Sequence, residues 1–190
     1  MVGLKGRKLK QSRAILITGP AGSGKSTLAA RIAQNRDWVH LSEDLHWVAI
    51  KQGHPAGEAR TQEEQRIVQP AVVQQLGTLL AQGKNVVLGF INYQDPPQPL
   101  LYYHAALREI SCPVLVKVLH PSAEVIMVRK KTRGRVDDQD IEQEWKNTKH
   151  QLACTASSAI ADDWILDNSA LTVEEVYVKY FLAFVEGKSW

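Results

Sequence analysis

The chain is poor in cysteine and contains no long apolar run. Its two cysteines, Cys112 and Cys154, lack the spacing of a thiolate zinc site, and a disulfide scaffold needs more of them. No apolar stretch approaches the roughly 18 residues that a membrane-spanning helix requires. The first residues also lack the apolar core and the small-residue cleavage pattern of a secretory signal. These absences predict a cytoplasmic protein that has no membrane partner.

Repeats and compositional bias are missing as well. Only 12 of the 190 residues are glycine and 8 are proline, and 44% are hydrophobic. Such a composition excludes collagen-like, solenoid and disordered chains. The length is sufficient for one globular domain with a substantial core.

The net charge of +3 is distributed unevenly along the chain. Residues 1–13 contain five cations and no acid, which leaves 18 cations against 20 acids in the rest of the chain. Binding of a polynucleotide needs a basic surface, so the net charge of the remainder argues against a nucleic-acid partner. We expect residues 1–13 to form a flexible basic arm and residues 14–190 to form the folded domain. An RNA-binding or targeting role for the arm is the less favoured alternative.

Short apolar runs alternate with segments of helical periodicity. The predicted strands cover residues 14–18, 38–41, 86–91, 114–119 and 164–167. One predicted helix begins near Lys25, and the others cover residues 61–82, 122–131, 138–157 and 172–185. This alternation predicts an α/β fold, in which about five parallel strands form a sheet between two layers of helices. Residues 92–99 are rich in Asn, Asp and Pro and are expected to form a surface loop at the ligand-binding edge of that sheet.

A complete Walker A pattern follows the first predicted strand. The segment is Gly19-Pro20-Ala21-Gly22-Ser23-Gly24-Lys25-Ser26-Thr27. Its glycines allow successive backbone N–H groups to turn toward phosphates, and the helix that begins near Lys25 adds its positive dipole end. We expect all nine residues to bind ATP, with Lys25 at the β and γ phosphates and the Ser26 hydroxyl as a ligand of Mg²⁺.

This loop, in a chain of 190 residues, resembles that of the small P-loop kinases, which include nucleoside monophosphate, shikimate, gluconate and chloramphenicol kinases. The resemblance implies a single P-loop NTPase domain. In that group an acidic residue just after the second strand meets the acceptor hydroxyl, which indicates Asp44 here, with Glu43 as the alternative. A simple helix cap would also place an aspartate there. The nearby His46 and Trp47 suit an acceptor pocket better than a cap.

The resemblance also implies a short arginine-rich lid over the transferring group. The basic run 129–135 lies where such a lid is expected and is similar to a shortened adenylate-kinase lid. Guanidinium groups stabilise the negative charge of phosphoryl transfer, so we assign Arg133 and Arg135 to catalysis and Arg129 to nucleotide binding. A solvated helix C-terminus, where cations are favoured anyway, is the alternative.

The Walker B acid is missing, because Gly89 stands where the third strand should lead to it. Mg²⁺ would then be held by Ser26, phosphates and water, with Asp44 or Asp95 as a candidate bridge. This absence disfavours an ATPase motor, and the lack of NKxD and DxxG sequences disfavours a GTPase. The six histidines show no metal-ligand spacing, so no transition-metal site is expected.

The sequence therefore predicts an ATP- and Mg²⁺-dependent phosphotransferase. The γ-phosphoryl group of ATP would pass to a small hydroxylated or phosphorylated acceptor. The enzyme would be a monomer or a homodimer. Two alternatives stay open. One is a polynucleotide 5′-kinase, and the other is a nucleotide-binding module without turnover.

Overall fold

The structure, a computed structural model, describes residues 11–50, 61–134 and 140–188. The strands are β1 (Ala14–Thr18), β2 (Trp38–Ser42), β3 (Asn85–Gly89), β4 (Val114–Leu119) and β5 (Ile165–Leu166). The helices are α1 (Lys25–Ala33), α2 (Glu43–Ile50), α3 (Gln62–Ala81), α4 (Gln98–Glu109), α5 (Ala123–Arg133), α6 (Ile141–Thr155), α7 (Val173–Tyr180) and α8 (Leu182–Glu186).

The five strands form one parallel sheet in the order β2-β3-β1-β4-β5. The central strand β1 is buried on both faces, which explains its uninterrupted apolar sequence. Ala14 and Leu16 face the core beneath α3 and α4, whereas Ile15 and Ile17 face the core beneath α1, α7 and α8. The structure thus confirms the three-layer α/β/α fold.

Two helices were not predicted from the sequence. Helix α2 begins at Glu43, directly after β2, where the sequence indicated a strand end and a helix cap at Asp44 only as the alternative. Helix α4 begins at Gln98 inside a proline-rich stretch that indicated a loop. Proline is compatible with the first turn of a helix, because the N–H that it lacks has no partner there. Strand β5 is shorter than predicted, since Trp164 ends a 3₁₀ turn before it.

Helix starts were predicted well by their capping residues. Thr61 with Glu64 caps α3, and Thr172 with Glu175 caps α7, each through a reciprocal capping box. The helix predicted over 172–185 is interrupted at Phe181, where the backbone leaves helical geometry between α7 and α8. In the part of the chain that the structure describes, no helix combines the length and apolarity needed to cross a bilayer.

The last residues of the predicted N-terminal arm contact the domain. Gln11 and Ser12 donate hydrogen bonds to the carbonyls of Ser111 and Leu80, and Arg13 is only 8% exposed. Its guanidinium donates hydrogen bonds to the carbonyls of Phe184 and Val185 and lies 6.0 Å from the ring centre of Trp38. Burial lowers the pKa of Arg13. Residues 1–10, the remainder of the predicted arm, lie outside the described residues.

Candidate active site

The Walker A segment forms the connection from β1 to α1 and depends on its glycines. Gly19 has a φ of 145°, and a Cβ atom there would lie 2.4 Å from the carbonyl oxygen of Leu119. Gly22 has a φ of 86° and is closely approached by side chains of α5. Gly24, with a φ of 103°, caps α1 in a left-handed conformation. Side chains at these positions would be strained, so the loop conformation requires the glycine pattern.

The lysine of the loop is buried against the backbone of the preceding loop residues. Lys25 is 9% exposed, and its Nζ atom donates hydrogen bonds to the carbonyls of Gly19 and Pro20, each at 2.8 Å. Ser26 and Thr27 lie exposed in the first turn of α1, which contains no acidic residue. The amino end of this helix and the lysine ammonium therefore supply positive charge to one place.

The outer side of the loop is held by residues from distant elements. The carbonyl of Ser23 accepts hydrogen bonds from Asn168 Nδ2 at 2.9 Å and from Arg129 Nη1 at 3.2 Å. Arg129 also donates to the carbonyl of Asn168 at 2.9 Å. Burial lowers the pKa of the Arg129 guanidinium, and the Asp167 carboxylate opposes that shift. Arg129 thus bridges the loop and the β5–α7 connection.

A cleft of about 510 Å³ opens over this loop. One of its walls is apolar and is formed by Leu171, Val173 and Val176, next to Asn168. Predicted site residues that line the cleft are Ala21, Gly22, Gly24, Lys25, Ser26, Thr27, Asp44, Arg129 and Arg133. Apolar side chains, the glycine-rich loop, cationic side chains and a carboxylate therefore line one cleft.

The two carboxylates at the start of α2 have different surroundings. Asp44 is exposed and lines the cleft. Glu43 is 2% exposed and accepts a hydrogen bond of 2.6 Å from the hydroxyl of Tyr103 on α4. The geometry therefore favours Asp44 over Glu43 as the carboxylate that a substrate can reach.

The basic run near the end of α5 is divided between two surroundings. Arg133 is exposed, lines the cleft and ends the helix, whereas Arg135 lies outside the described residues. Lys130 is 1% exposed, and its ammonium contacts Glu144 Oε2 at 2.6 Å and Thr148 Oγ1 at 2.8 Å. Lys130 therefore belongs to the packing between α5 and α6, which the sequence did not reveal.

The loop that follows β3 is attached to α6. The carbonyl of Tyr93 bonds His150 Nε2 at 2.8 Å, and the Asp95 carboxylate accepts a hydrogen bond from Ser157. Asn92 is fully buried, and neither polar atom of its side chain has a hydrogen-bond partner among the described residues. No cluster of three or more His, Cys, Asp or Glu side chains suited to a metal occurs within the described ranges.

Comparison with known proteins decides the family. The profile of the AAA_33 family, described as "AAA domain", matches residues 15–175. The chain belongs to this AAA_33 family. It is also 25% identical over 198 residues to adenylate kinase isoenzyme 1 of Cyprinus carpio, across 95% of this chain and 98% of the carp protein. These matches confirm that the chain belongs to the small P-loop kinase superfamily.

Solved structures share the fold of this AAA_33 member. A sugar kinase from Janibacter sp. HTCC2649 superimposes with a TM-score of 0.65 at 20% identity, over 94% of this chain and 99% of the other. The APS kinase CysC of Mycobacterium tuberculosis, in complex with AMPPNP and APS, gives a TM-score of 0.64 at 12% identity, over 94% and 99%. At these sequence identities, the similarity shows a shared fold and nothing further.

Proposed function

We propose that this protein transfers the γ-phosphoryl group of ATP to a small hydroxylated or phosphorylated acceptor. The observation that supports this most is the shared cleft, in which a glycine-dependent phosphate loop, Asp44 and Arg133 lie together. A module that only bound nucleotide would not need an exposed carboxylate in the same cleft to meet an acceptor hydroxyl. The kinase relatives and the net charge of the domain do not favour the polynucleotide alternative.

The donor site fits ATP. The glycines allow the loop to turn with positive φ while it packs closely against β4 and α5, so backbone amides can face phosphates, and Lys25 and the start of α1 supply the positive charge. The apolar residues Leu171, Val173 and Val176 provide a surface for the base. In this proposal Lys25 exchanges its carbonyl partners for phosphate oxygens when ATP binds.

The donor set also fits Mg²⁺ bound together with the nucleotide. Mg²⁺ prefers oxygen ligands and usually keeps several waters, with only one or two protein ligands. The exposed hydroxyl of Ser26 lies at the loop, and Asp44 lines the same cleft. When bound, the ion would neutralise charge on the phosphates. Asp95 is the weaker candidate bridge, because its carboxylate is engaged by Ser157.

The acceptor side centres on Asp44. Its carboxylate would orient the acceptor hydroxyl and take its proton as the oxygen attacks the γ-phosphorus, while the bond from this phosphorus to the bridging oxygen breaks and ADP leaves. Arg133, and Arg135 as predicted from the sequence, would stabilise the negative charge that spreads over the transferring group. Arg129 holds the loop and the β5–α7 connection while it faces the nucleotide.

ADP release measured with a panel of acceptors tests this proposal. The panel should contain hydroxylated metabolites, nucleosides, nucleotides, aminoglycosides and 5′-hydroxyl oligonucleotides, with Lys25→Ala as the inactive control. We expect steady ADP formation with one class of small acceptor and none with the control. ATP binding without turnover on any acceptor would contradict the proposal, as would turnover restricted to oligonucleotide ends.

A further inference from the structure

Helix α6 carries a stripe of buried or half-buried polar residues that the phosphotransfer chemistry does not use. The stripe comprises Glu144, Thr148, Gln151 and Thr155, whose spacings of four, three and four residues place them on one face. Glu144 and Thr148 bind the ammonium of Lys130, and Thr155 bonds His120 Nδ1 at 2.9 Å. Polar groups are costly to bury without hydrogen bonds, so each residue of such a stripe needs a defined hydrogen-bond partner.

Within this stripe, Gln151 contacts the phosphate loop itself. Its side chain is 6% exposed, and its Oε1 atom accepts a hydrogen bond of 2.7 Å from the backbone N–H of Ala21. Ala21 lies in the middle of the loop and lines the cleft. The loop therefore receives a fixed contact from a helix more than a hundred residues away in the sequence.

The contact holds one edge of a peptide unit whose other edge is also held. The N–H of Ala21 and the carbonyl of Pro20 belong to the same planar group. That carbonyl accepts hydrogen bonds from Lys25 Nζ at 2.8 Å and from the Ser23 N–H at 3.1 Å. The plane of this peptide is therefore fixed between the loop and α6.

We propose that Gln151 is a positioning residue that keeps the Pro20–Ala21 peptide in the orientation required for polyphosphate binding. This inference rests on the proposed function, in which Lys25 moves to the phosphates and weakens its hold on the Pro20 carbonyl. The hydrogen bonds from the Ser23 N–H and to Gln151 then remain to oppose rotation of this peptide, and Gln151 alone holds its N–H edge. Without this contact, the loop would have to become ordered when the ligand binds, and the affinity would be lower.

Binding measurements with ATP and with inorganic tripolyphosphate test the inference. Gln151→Met keeps the length of the side chain but removes the acceptor, and Gln151→Asn keeps the amide but is too short to reach. We expect both variants to bind both probes roughly tenfold more weakly, as for one lost orienting hydrogen bond. Hydrogen exchange of the Ala21 amide in the nucleotide-free protein should become faster in both variants.

Thr155→Val is the matched control, because it removes a buried hydrogen bond from the same stripe without touching the loop. It should lower the melting temperature while leaving the affinity for both probes unchanged. Affinities within twofold of the parent for both Gln151 variants would overturn the inference, and so would an equal loss in Thr155→Val. Failure of the parent itself to bind ATP would instead refute the proposed function.

Discussion

The two adjacent carboxylates of α2 provide the sharpest test of the proposed chemistry. Asp44 is exposed in the cleft, so Asp44→Asn should change the free energy of unfolding by less than about 0.5 kcal/mol. Its kcat should fall by about 10² or more with ATP affinity nearly preserved, because the neutral amide cannot take the acceptor proton.

Substitutions that affect the neighbouring Glu43 should lower the stability of the protein and leave kcat nearly unchanged. Tyr103→Phe removes the buried 2.6 Å hydrogen bond to Glu43 and leaves that carboxyl group without this donor. The free energy of unfolding should fall by about 2 kcal/mol. A domain of this size should then melt about 4–8 °C lower. Glu43→Gln should keep kcat near that of the parent, because Glu43 is buried against Tyr103 and does not line the cleft.

The assays are thermal melting without nucleotide and kcat with the acceptor that the panel identifies. Slow ATP hydrolysis is not a substitute, because water does not occupy the acceptor position in the same way. Full kcat in Asp44→Asn together with an inactive, stable Glu43→Gln would refute the assignment and make Glu43 the catalytic carboxylate. Full activity in both variants would move the search to Asp95.

Four further predictions concern charged residues of the phosphate loop, of α5 and of the N-terminal arm. Lys25→Ala should lose the ATP-induced stabilisation that reaches about 2.7 kcal/mol at a hundredfold excess over Kd, and equal melting shifts in variant and parent would contradict this. Lys130→Met should cost about 3–5 kcal/mol in urea unfolding because Glu144 loses its buried partner, whereas a stable variant with low kcat would place Lys130 in the chemistry. Arg133→Ala should raise the barrier by about 2–4 kcal/mol with modestly weaker ATP binding, and an unchanged kcat would exclude it. Deletion of residues 1–10 should leave ATP affinity unchanged at fixed salt, and several-fold weaker binding would show that the arm reaches the site.

The strands and the phosphate loop could be predicted because their signals are local. A parallel strand buried on both faces is a continuous apolar run, and β1 shows it from Ala14 to Thr18. The glycines of the loop are required by backbone angles that other residues rarely adopt. Helix α4 was missed because its signal is weak locally. Leu100, Tyr103 and Leu107 become informative only once the sheet that buries them is known.

The contacts of α6 could not be predicted for a related reason. Glu144, Thr148 and Gln151 are residue types that usually face solvent, so their sequence indicates a solvated helix. Their surroundings depend on Lys130, which belongs to the preceding helix α5, and on the amide of Ala21, which is far away in the chain. A polar stripe with helical periodicity was the only local signal, and many exposed helices share it.

Helix geometry explains why charged residues that are adjacent in the sequence have different surroundings near the cleft. Successive residues of an α-helix point about 100° apart, so two like charges side by side in sequence cannot face the same place. Arg129 and Arg133, four residues apart, share the face of α5 that lines the cleft, whereas Lys130 turns toward α6. Asp44 and Glu43 separate in the same way at the start of α2. A basic run or an acidic pair in the sequence therefore locates a charged site, and the helix determines which of its members reach the substrate.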